Sequence, residues 1–188
     1  MGPGNMLYAL DRGNNRVVIL DTDMNYQNQH DAEGDGDHVF AYPQGIAVAS
    51  SGDMYVKHKQ DSPGESGVVI WDSQGVFLTE LVDVTYDDQP LFLVDFSDLS
   101  ALYIDASDYI YFINSSAGLG RLTKTDLSLG FSYQLGGAGG AEPGEFNEAM
   151  AITVDSSGNI YIADSGNHRI QRFSLAVDRG TKQIPFSQ

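Results

Sequence analysis

A run of acidic residues between positions 30 and 38 has the residue types and spacing that could bind a metal ion. Its four carboxylates are Asp31, Glu33, Asp35 and Asp37. The first three, with Gly36, fall at positions 1, 3, 5 and 6 of a calcium loop, where a hard cation needs several oxygen ligands around a sharp turn. Position 12 of such a loop is Tyr42 instead of a bidentate Glu. The segment therefore predicts either a calcium-like site at these four carboxylates or a solvated loop between structural units.

The rest of the sequence offers no pattern of catalytic residues. The four histidines are His30, His38, His58 and His168. Their spacing gives no tetrahedral zinc site, and the chain has no Cys, no Gly-x-Ser-x-Gly motif and no phosphate-binding loop. Carboxylate pairs such as Asp87 with Asp88, or Asp95 with Asp98, are expected by chance in so acidic a chain. We predict no catalytic residue and no cofactor, with calcium as the metal to test.

The charge of the chain is strongly negative and unevenly distributed. The 188 residues include 26 Asp and Glu against 10 Lys and Arg. Residues 1–110 have a net charge of −15, from 19 acidic and 4 basic residues, and residues 111–188 have one of −1, from 7 acidic and 6 basic residues. Such a surface repels nucleic-acid phosphates and anionic lipids, so we expect a protein or cationic ligand as partner and no nucleic acid or membrane. Neither a signal peptide nor a membrane-spanning segment is expected from the sequence.

Three stretches of the sequence repeat the same order of apolar and turn residues. They cover residues 45–56, 101–112 and 151–164, and a partial copy begins at Met6. The tyrosines that mark the repeat are Tyr8, Tyr55, Tyr111 and Tyr161, spaced 47, 56 and 50 residues apart. Each copy has an apolar run, a turn of Asp, Ser or Gly type and a second apolar run, which is typical of antiparallel strands. Because one such meander cannot bury both faces, the units must stack, and radial stacking predicts a β-propeller.

A second turn motif occurs at residues 11–16 and 164–169, where an Asp precedes Gly, Asn and Arg. We expect the Asp to accept backbone N–H bonds of the turn and the Arg to reach back to the Asp. The Gly and Asn residues tolerate a positive φ. The motif predicts a tight hairpin and no reaction.

Together these motifs resemble the NHL repeat of β-propeller proteins. The strongest match runs from Gly158 to Phe173, a second covers residues 43–56, and a Gly-rich lead-in occupies residues 136–146. The resemblance covers about four units, at approximately residues 6–30, 40–80, 96–128 and 146–176. It implies an all-β propeller of about four blades, each an antiparallel meander, forming a single domain over residues 1–188 with either a closed or an incomplete ring.

Members of the family usually close a ring with about six blades, which is more than the four units present here. Either the four units close by themselves, with residues 183–186 supplying a missing strand to the first unit, or the chain is part of a larger ring. An unfilled first unit would leave an exposed strand edge, and such edges pair with other chains, so we also expect self-association. A location outside the cytoplasm is implied by the resemblance alone, and the sequence leaves the compartment open.

The resulting functional hypothesis is a non-enzymatic interaction module, in which loops and the acidic N-terminal half recognise a partner protein or small ligand. The alternatives are a propeller enzyme, such as a metal-dependent lyase or lactone hydrolase, and a structural fragment completed by self-association. Zinc lyases with NHL-like propellers have a His after the Pro that leads into the inner strand. This chain has Gln44 after Pro43, so the resemblance does not imply that activity.

Overall fold

A computed structural model gives the fold of the chain. It describes residues 2–31, 42–59, 67–82, 85–86, 89–90, 96, 99–115, 120–127, 132–136, 139–175 and 186–187. The strands in chain order are β1 (Leu7–Asp11), β2 (Arg16–Leu20), β3 (Tyr26–Asp31), β4 (Gly45–Val48), β5 (Met54–His58), β6 (Gly67–Trp71), β7 (Phe77–Val82), β8 (Thr85–Tyr86), β9 (Gln89–Pro90), β10 (Leu99–Ile104), β11 (Tyr109–Asn114), β12 (Arg121–Asp126), β13 (Ser132–Gly136), β14 (Ala149–Val154), β15 (Asn159–Asp164), β16 (Arg169–Leu175) and β17 (Phe186–Ser187). These ranges contain no α-helix, and the all-β prediction is confirmed.

Four antiparallel sheets follow one another along the chain. We call them the first sheet (β1–β3), the second sheet (β4–β7), the third sheet (β10–β13) and the fourth sheet (β14–β17), and β8 and β9 form a separate hairpin. Strands that are neighbours in sequence are neighbours in each sheet, as in a meander. The first sheet has three strands where the others have four, and it lacks the strand that β4, β10 and β14 provide elsewhere.

Two compact units hold these strands. The first unit contains the strands of the first and second sheets, and the second unit contains those of the third and fourth sheets. The sequence-based expectation of a single domain over residues 1–188 stays a prediction.

Side chains alternate between the two faces of each sheet, because successive residues of a strand point in opposite directions. Tyr55, Tyr111 and Tyr161 each lie on the second strand of a four-stranded sheet. Tyr8 lies on β1, which is the equivalent strand of the three-stranded first sheet. We call the face that contains them the Tyr face, and the other face of the same sheet the opposite face. In all four sheets, the strand registers place equivalent positions of the sequence repeat on the same face.

The core of the first unit lies between the first and second sheets. Tyr8, Leu10 and Val17, from the Tyr face of the first sheet, pack against the opposite face of the second sheet. The buried residues of that second-sheet face are Met54, Val56, Val69 and Trp71. Each buried apolar side chain of this size contributes about 1.5–3 kcal/mol by leaving water. Trp71 is therefore a packing residue and is 3% exposed.

The core of the second unit repeats this arrangement. Tyr111, Ile113 and Leu122, from the Tyr face of the third sheet, pack on the opposite face of the fourth sheet. The buried residues of that fourth-sheet face are Ile160, Ile162 and Phe173, and Phe146 from the preceding connection joins them. Phe146 meets Phe173 edge to face, with ring centroids 5.9 Å apart. In both units, then, the Tyr face of the earlier sheet covers the opposite face of the later sheet.

The C-terminal strand differs from one of the two arrangements expected from the sequence. Phe186 and Ser187 form β17 and pair with Leu175 and Ser174 of β16. They complete the fourth sheet, so the expectation that residues 183–186 pair with the first unit is wrong for Phe186, the described residue of that segment. Strands that follow one another along the chain are usually neighbours in a sheet, which favours pairing with β16.

No helix among the described residues has the length and apolar character needed to cross a membrane.

Candidate interaction site

Five hairpins of the chain share one five-residue turn. They lie at residues 21–25, 49–53, 72–76, 105–109 and 155–159. In each, the N–H of the first residue donates to the C=O of the fifth at 2.9 to 3.0 Å. Four of them begin with an Asp whose side chain accepts the N–H of the fifth residue. This bond explains why an Asp ends the strand at these places, since its carboxylate takes over a backbone donor at the turn.

The fourth residue of this turn has a positive φ in all five hairpins. Three of the turns place a glycine there, namely Gly52, Gly75 and Gly158. The others have Met24 with φ 67 and Asp108 with φ 58. A left-handed conformation costs an L-residue about 1–2 kcal/mol, and Asp tolerates it better than Met because its short side chain can bond locally. The turn of the first sheet therefore keeps a Met where the backbone geometry favours Gly.

We define the β2–β3 tip as residues 21–27, which are the turn that joins β2 to β3 and the first two residues of β3. Asp21 organises it: its Oδ1 accepts the N–H groups of Asp23 and Asn25, both at 2.9 Å. Its Oδ2 accepts Nε2 of Gln27 at 2.9 Å and Nδ2 of Asn25 at 3.1 Å. Hydrogen bonds from Asn25 are the main cause that holds the pKa of Asp21 below its usual range. The tip therefore has a fixed backbone and an ionised carboxylate at neutral pH.

Two large apolar side chains project from the β2–β3 tip. Met24 is 66% exposed and Tyr26 is 60% exposed. Asp23, which lies between Asp21 and Met24 in the sequence, is also exposed. Met and Tyr are enriched at protein interfaces, because they supply apolar contact area that remains compatible with water. The tip thus combines exposed apolar groups, negative charge and an ordered backbone.

The strand that leaves the tip is an edge of its sheet. Within the described residues β3 pairs with β2 and with no other strand. Its first three residues, Tyr26, Gln27 and Asn28, are exposed, and it ends at the exposed Asp31. An edge strand presents unpaired backbone N–H and C=O groups that an extended peptide can join. Sequence reasoning missed this site, although aligning residues 21–25 with the turn at 155–159 would have shown Met24 in the glycine position.

The predicted Asp-to-Arg turn is confirmed in the first and fourth sheets. Nε of Arg16 donates to Oδ2 of Asp11 at 2.8 Å, and Nε of Arg169 donates to Oδ2 of Asp164 at 2.6 Å. Two details differ from expectation. The positive φ falls on the fifth residue of each turn, which is Asn15 in the first sheet, in line with expectation, and His168 in the fourth, where Gly or Asn was expected. Asp164 Oδ1 accepts the N–H of a residue outside the turn, at 2.7 Å.

That outside residue is Asn147, and it also explains the glycine of the turn. The N–H of Gly166 donates to Asn147 O at 2.9 Å. A Cβ on Gly166 would lie 2.6 Å from Asn147 Nδ2 and 2.9 Å from Asn147 O. Glycine is therefore needed at position 166 because the two segments approach closely, and not because of its φ.

The registers put one position of each sheet in correspondence with Asp164. The four residues are Asp11, His58, Asn114 and Asp164. In the second sheet the facing residue is Gly67 instead of an Arg, so the imidazole reaches across it to the next strand. Nε2 of His58 lies 2.6 Å from Oε1 of Glu80. In the first and fourth sheets the acidic residue of the pair precedes the basic one along the chain. In the second sheet the basic residue, His58, comes first and the acidic residue, Glu80, follows it.

His58 is fully buried, and its Nδ1 has no hydrogen-bond partner among the residues that the structure describes. A buried imidazole held by a carboxylate stabilises the sheet. It is closed to a substrate in this structure, because the side chain is 1% exposed. His30 packs instead against Gly75 of the second sheet, and burial lowers its pKa. His168 lies in the turn of residues 164–169 that joins β15 to β16, and His38 lies outside the described residues.

The third sheet contains a buried cluster of polar side chains around the amino group of Lys124. Its Nζ lies 4.1 Å from the ring centroid of Tyr109, 5.0 Å from that of Tyr111 and 4.0 Å from Oδ2 of Asp105. Tyr111 donates to the same Oδ2 at 2.8 Å. Burial lowers the pKa of Lys124, which the charge of Asp105 opposes. Because Lys124 is 8% exposed, this cluster joins β11, β12 and the turn and offers little access to a ligand.

The calcium-like site predicted at Asp31, Glu33, Asp35 and Asp37 falls largely outside the described residues. Asp31 ends β3 and its carboxylate oxygens both accept Nε2 of Gln29 at 3.2 Å. Glu33, Asp35 and Asp37 lie in residues 32–41, which the structure does not describe. Among the residues that it does describe, no three His, Cys, Asp or Glu side chains are grouped to hold a metal ion. The calcium site stays a prediction.

Comparison with known proteins supports the resemblance found in the sequence. Residues 146–173 match the family model of the NHL repeat. The chain is 35% identical over 81 residues to NHL repeat-containing protein 3 of Homo sapiens and 32% identical over 81 residues to that of Mus musculus. Each alignment covers 43% of this chain and 23% of the relative. The chain thus aligns with about a quarter of the length of these relatives.

Solved structures of similar fold extend the comparison to nearly the whole chain. A streptogramin B lyase structure aligns with a TM-score of 0.58 at 15% identity, covering 98% of this chain and 52% of that one. A functionally unknown protein from Desulfotomaculum acetoxidans aligns with a TM-score of 0.57 at 12% identity and the same coverage. At these identities the likeness concerns the fold alone, and this chain spans about half the length of those structures. Residues 146–173 thus match an NHL repeat, and the fold of the chain is that of a β-propeller.

Proposed function

We propose that the chain is a non-enzymatic interaction module and that the β2–β3 tip, with the free edge of β3, binds a basic, extended segment of a partner protein. The NHL-repeat propeller fold is compatible with an interaction module, because propellers present turns and edge strands on a rigid set of sheets. The tip adds the features that a specific contact needs, namely exposed apolar side chains and charge.

The observation that carries the proposal is Met24. It is 66% exposed and has φ 67 at a turn position that is glycine in three of the five equivalent turns. A residue that neither packs in the core nor suits its backbone conformation has no structural benefit at this place. Strained residues persist mainly where a function needs them. Contact with a partner supplies such a function.

The chemistry of the partner follows from the charge and the free edge. Asp21 and Asp23 make the tip negative, and residues 1–110 have a net charge of −15. A positively charged segment would be attracted from a distance and would be discriminated from an acidic one. The unpaired backbone groups of β3 favour an extended segment, since a strand can add to a sheet edge through main-chain hydrogen bonds.

Isothermal titration calorimetry with two synthetic peptides tests the proposal. The first alternates Lys with Val, which gives an extended and basic segment, and the second alternates Glu with Val. We expect the Lys–Val peptide to bind and its affinity to fall with added salt, while the Glu–Val peptide does not bind. Binding of both peptides with equal affinity, or of neither, would contradict the proposal.

Variants locate the binding on the chain. Tyr26→Ser removes the exposed ring, and we expect it to weaken Lys–Val binding roughly tenfold or more, as the loss of an interface aromatic does. Leu78→Ser is the matched control, because Leu78 is 51% exposed on the edge strand β7 of the second sheet. Equal binding by the Tyr26→Ser and Leu78→Ser variants would show that the peptide binds elsewhere.

A further inference from the structure

The Tyr face of the fourth sheet contains several exposed side chains. Ile170 lies on it and is 66% exposed, and Ala151 and Arg172 on the same face are also exposed. The residues at the same register positions in the third sheet are Leu122 and Lys124, which are 1% and 8% exposed. The difference arises because the Tyr face of the third sheet packs against the fourth sheet. Among the described residues, the fourth sheet thus presents the same kind of face with its Ile170 and Arg172 side chains exposed.

The opposite face of the first sheet is also incompletely covered. Its apolar residues include the exposed Ala9 and the half-buried Val18. At the corresponding place in the fourth sheet, Ile162 is fully buried under the Tyr face of the third sheet. Ala9 and Val18 therefore form the type of surface that receives a Tyr face within each unit.

We propose that the Tyr face of the fourth sheet of one copy packs on the opposite face of the first sheet of a second copy. This contact repeats the packing found inside both units, where the Tyr face of one sheet covers the opposite face of the next. Each copy exposes residues of both kinds of face, at Ile170 and at Ala9. The contact is therefore head to tail, and it can continue from copy to copy until the rotation closes a ring.

Charge favours this head-to-tail contact over one between two identical faces. Residues 1–110 have a net charge of −15, so pairing two first sheets would bring two strongly acidic surfaces together. The fourth sheet instead presents the exposed Arg172, and the first-sheet face ends at the exposed Asp31, while its Asp11 is already paired with Arg16. Opposite charges at the rim of the contact would fix its orientation.

A second copy is the occupant that the packing favours, because one chain exposes residues of a Tyr face, at Ile170, and of an opposite face, at Ala9. The inference is independent of the proposed peptide binding, since the faces of the sheets and the β2–β3 tip are different surfaces.

Analytical ultracentrifugation of the 188-residue chain over a range of concentrations tests the proposal. We expect the mass to rise above the monomer value of 20.4 kDa as concentration increases. Ile170→Arg on the fourth sheet and Ala9→Arg on the first sheet should each return the chain to a monomer. Ser156→Arg, at an exposed turn of the fourth sheet, adds the same charge away from the face and should leave the association unchanged. Circular dichroism of each variant shows that it is folded.

Mixing the two variants distinguishes the head-to-tail contact from other associations. The Ile170→Arg chain retains an intact first-sheet face, and the Ala9→Arg chain retains an intact fourth-sheet face. An equimolar mixture should therefore form a heterodimer, although each variant alone is monomeric. A wild-type chain that stays monomeric at every concentration, a mixture that does not associate, or an Ala9→Arg chain that dimerises by itself would overturn the proposal. Should Ile170→Arg be unfolded, Thr153→Arg on the same fourth-sheet face replaces it, and should Ala9→Arg be unfolded, Val18→Arg on the same first-sheet face replaces that variant.

Discussion

Oδ2 of Asp164 accepts a 2.6 Å hydrogen bond from Nε of Arg169 while the Asp164 side chain is completely buried. The same pair in the first sheet, Asp11 with Arg16, is 2.8 Å long, and there the Asp side chain is 28% exposed. Asp164 also accepts bonds from Asn147, Asn167 and Gln171. One turn motif thus exists in a buried and in a solvated form within a single chain.

Replacing the buried carboxylate should cost far more stability than replacing the solvated one. We expect Asp164→Asn to lower the free energy of unfolding by roughly 2–4 kcal/mol, because Arg169 loses its charged partner in a buried network. Asp11→Asn is the matched control and should cause a smaller loss, since water can replace the missing bonds. Urea unfolding followed by circular dichroism measures both. Equal losses would mean that burial is not what gives the motif its strength.

Stability should decrease at acid pH. Burial would raise the pKa of Asp164, but hydrogen bonds from Asn147, Asn167 and Arg169 outweigh it and hold that pKa below the usual range. A carboxylate with a lowered pKa stabilises the fold above its unfolded pKa, about 3.9, and this contribution is lost as the pH falls through the lower folded value. We therefore expect the urea midpoint to drop below about pH 4. The drop should be smaller in Asp164→Asn, and an equally steep drop there would assign the effect to other groups.

The hydroxyl of Tyr111 should stabilise the third sheet. It donates to Oδ2 of Asp105 at 2.8 Å and is buried, so Tyr111→Phe should cost about 0.5–1.5 kcal/mol. Tyr161→Phe removes the same bond, to Asp155 at 3.1 Å, from a less buried tyrosine and should cost less. Denaturant unfolding of both variants makes the comparison. A larger loss in Tyr161→Phe would contradict this reasoning.

Tyr111 also has a consequence at alkaline pH. Burial, followed by the hydrogen bond to Asp105, raises the pKa of Tyr111. A raised folded pKa stabilises the fold below the unfolded value, about 10, and that contribution is lost as the pH rises above it. Absorbance titration should therefore show a late ionisation step that accompanies unfolding, and the amplitude of this step should be smaller by one tyrosine in Tyr111→Phe.

Met24→Gly should stabilise the chain and weaken peptide binding at the same time. Glycine relieves the positive φ of position 24, which should gain about 1 kcal/mol, while the exposed side chain that contacts the partner is lost. The reverse exchange, Gly158→Met, should lose a similar amount, because no atom lies within 4 Å of a Cβ there and only φ is affected. Gly158→Met should leave binding of the Lys–Val peptide unchanged. A Met24→Gly chain that is more stable and binds equally well would remove the main support for the tip as a binding site.

The sequence predicted what depends on local patterns. The repeat marked by Tyr55, Tyr111 and Tyr161 indicated the sheets, and the Asp-to-Arg spacing predicted a bond that the structure contains. The contact of His58 with Glu80 was not predictable in this way, because 22 residues separate the two and it depends on the missing side chain of Gly67. Met24 escaped notice because the turn motif is recognised by its glycine, and at this turn the glycine is replaced.

The shared five-residue turn makes the tips of these hairpins exchangeable. Because all five turns use the same backbone hydrogen bonds, the three central residues can be replaced as a cassette without shifting the register of either flanking strand. Recombination among repeats, or deliberate grafting, could then transplant the Met-containing tip of the first sheet to another blade. New binding preferences would arise at small cost to folding, so this scaffold can diversify its partners one hairpin at a time.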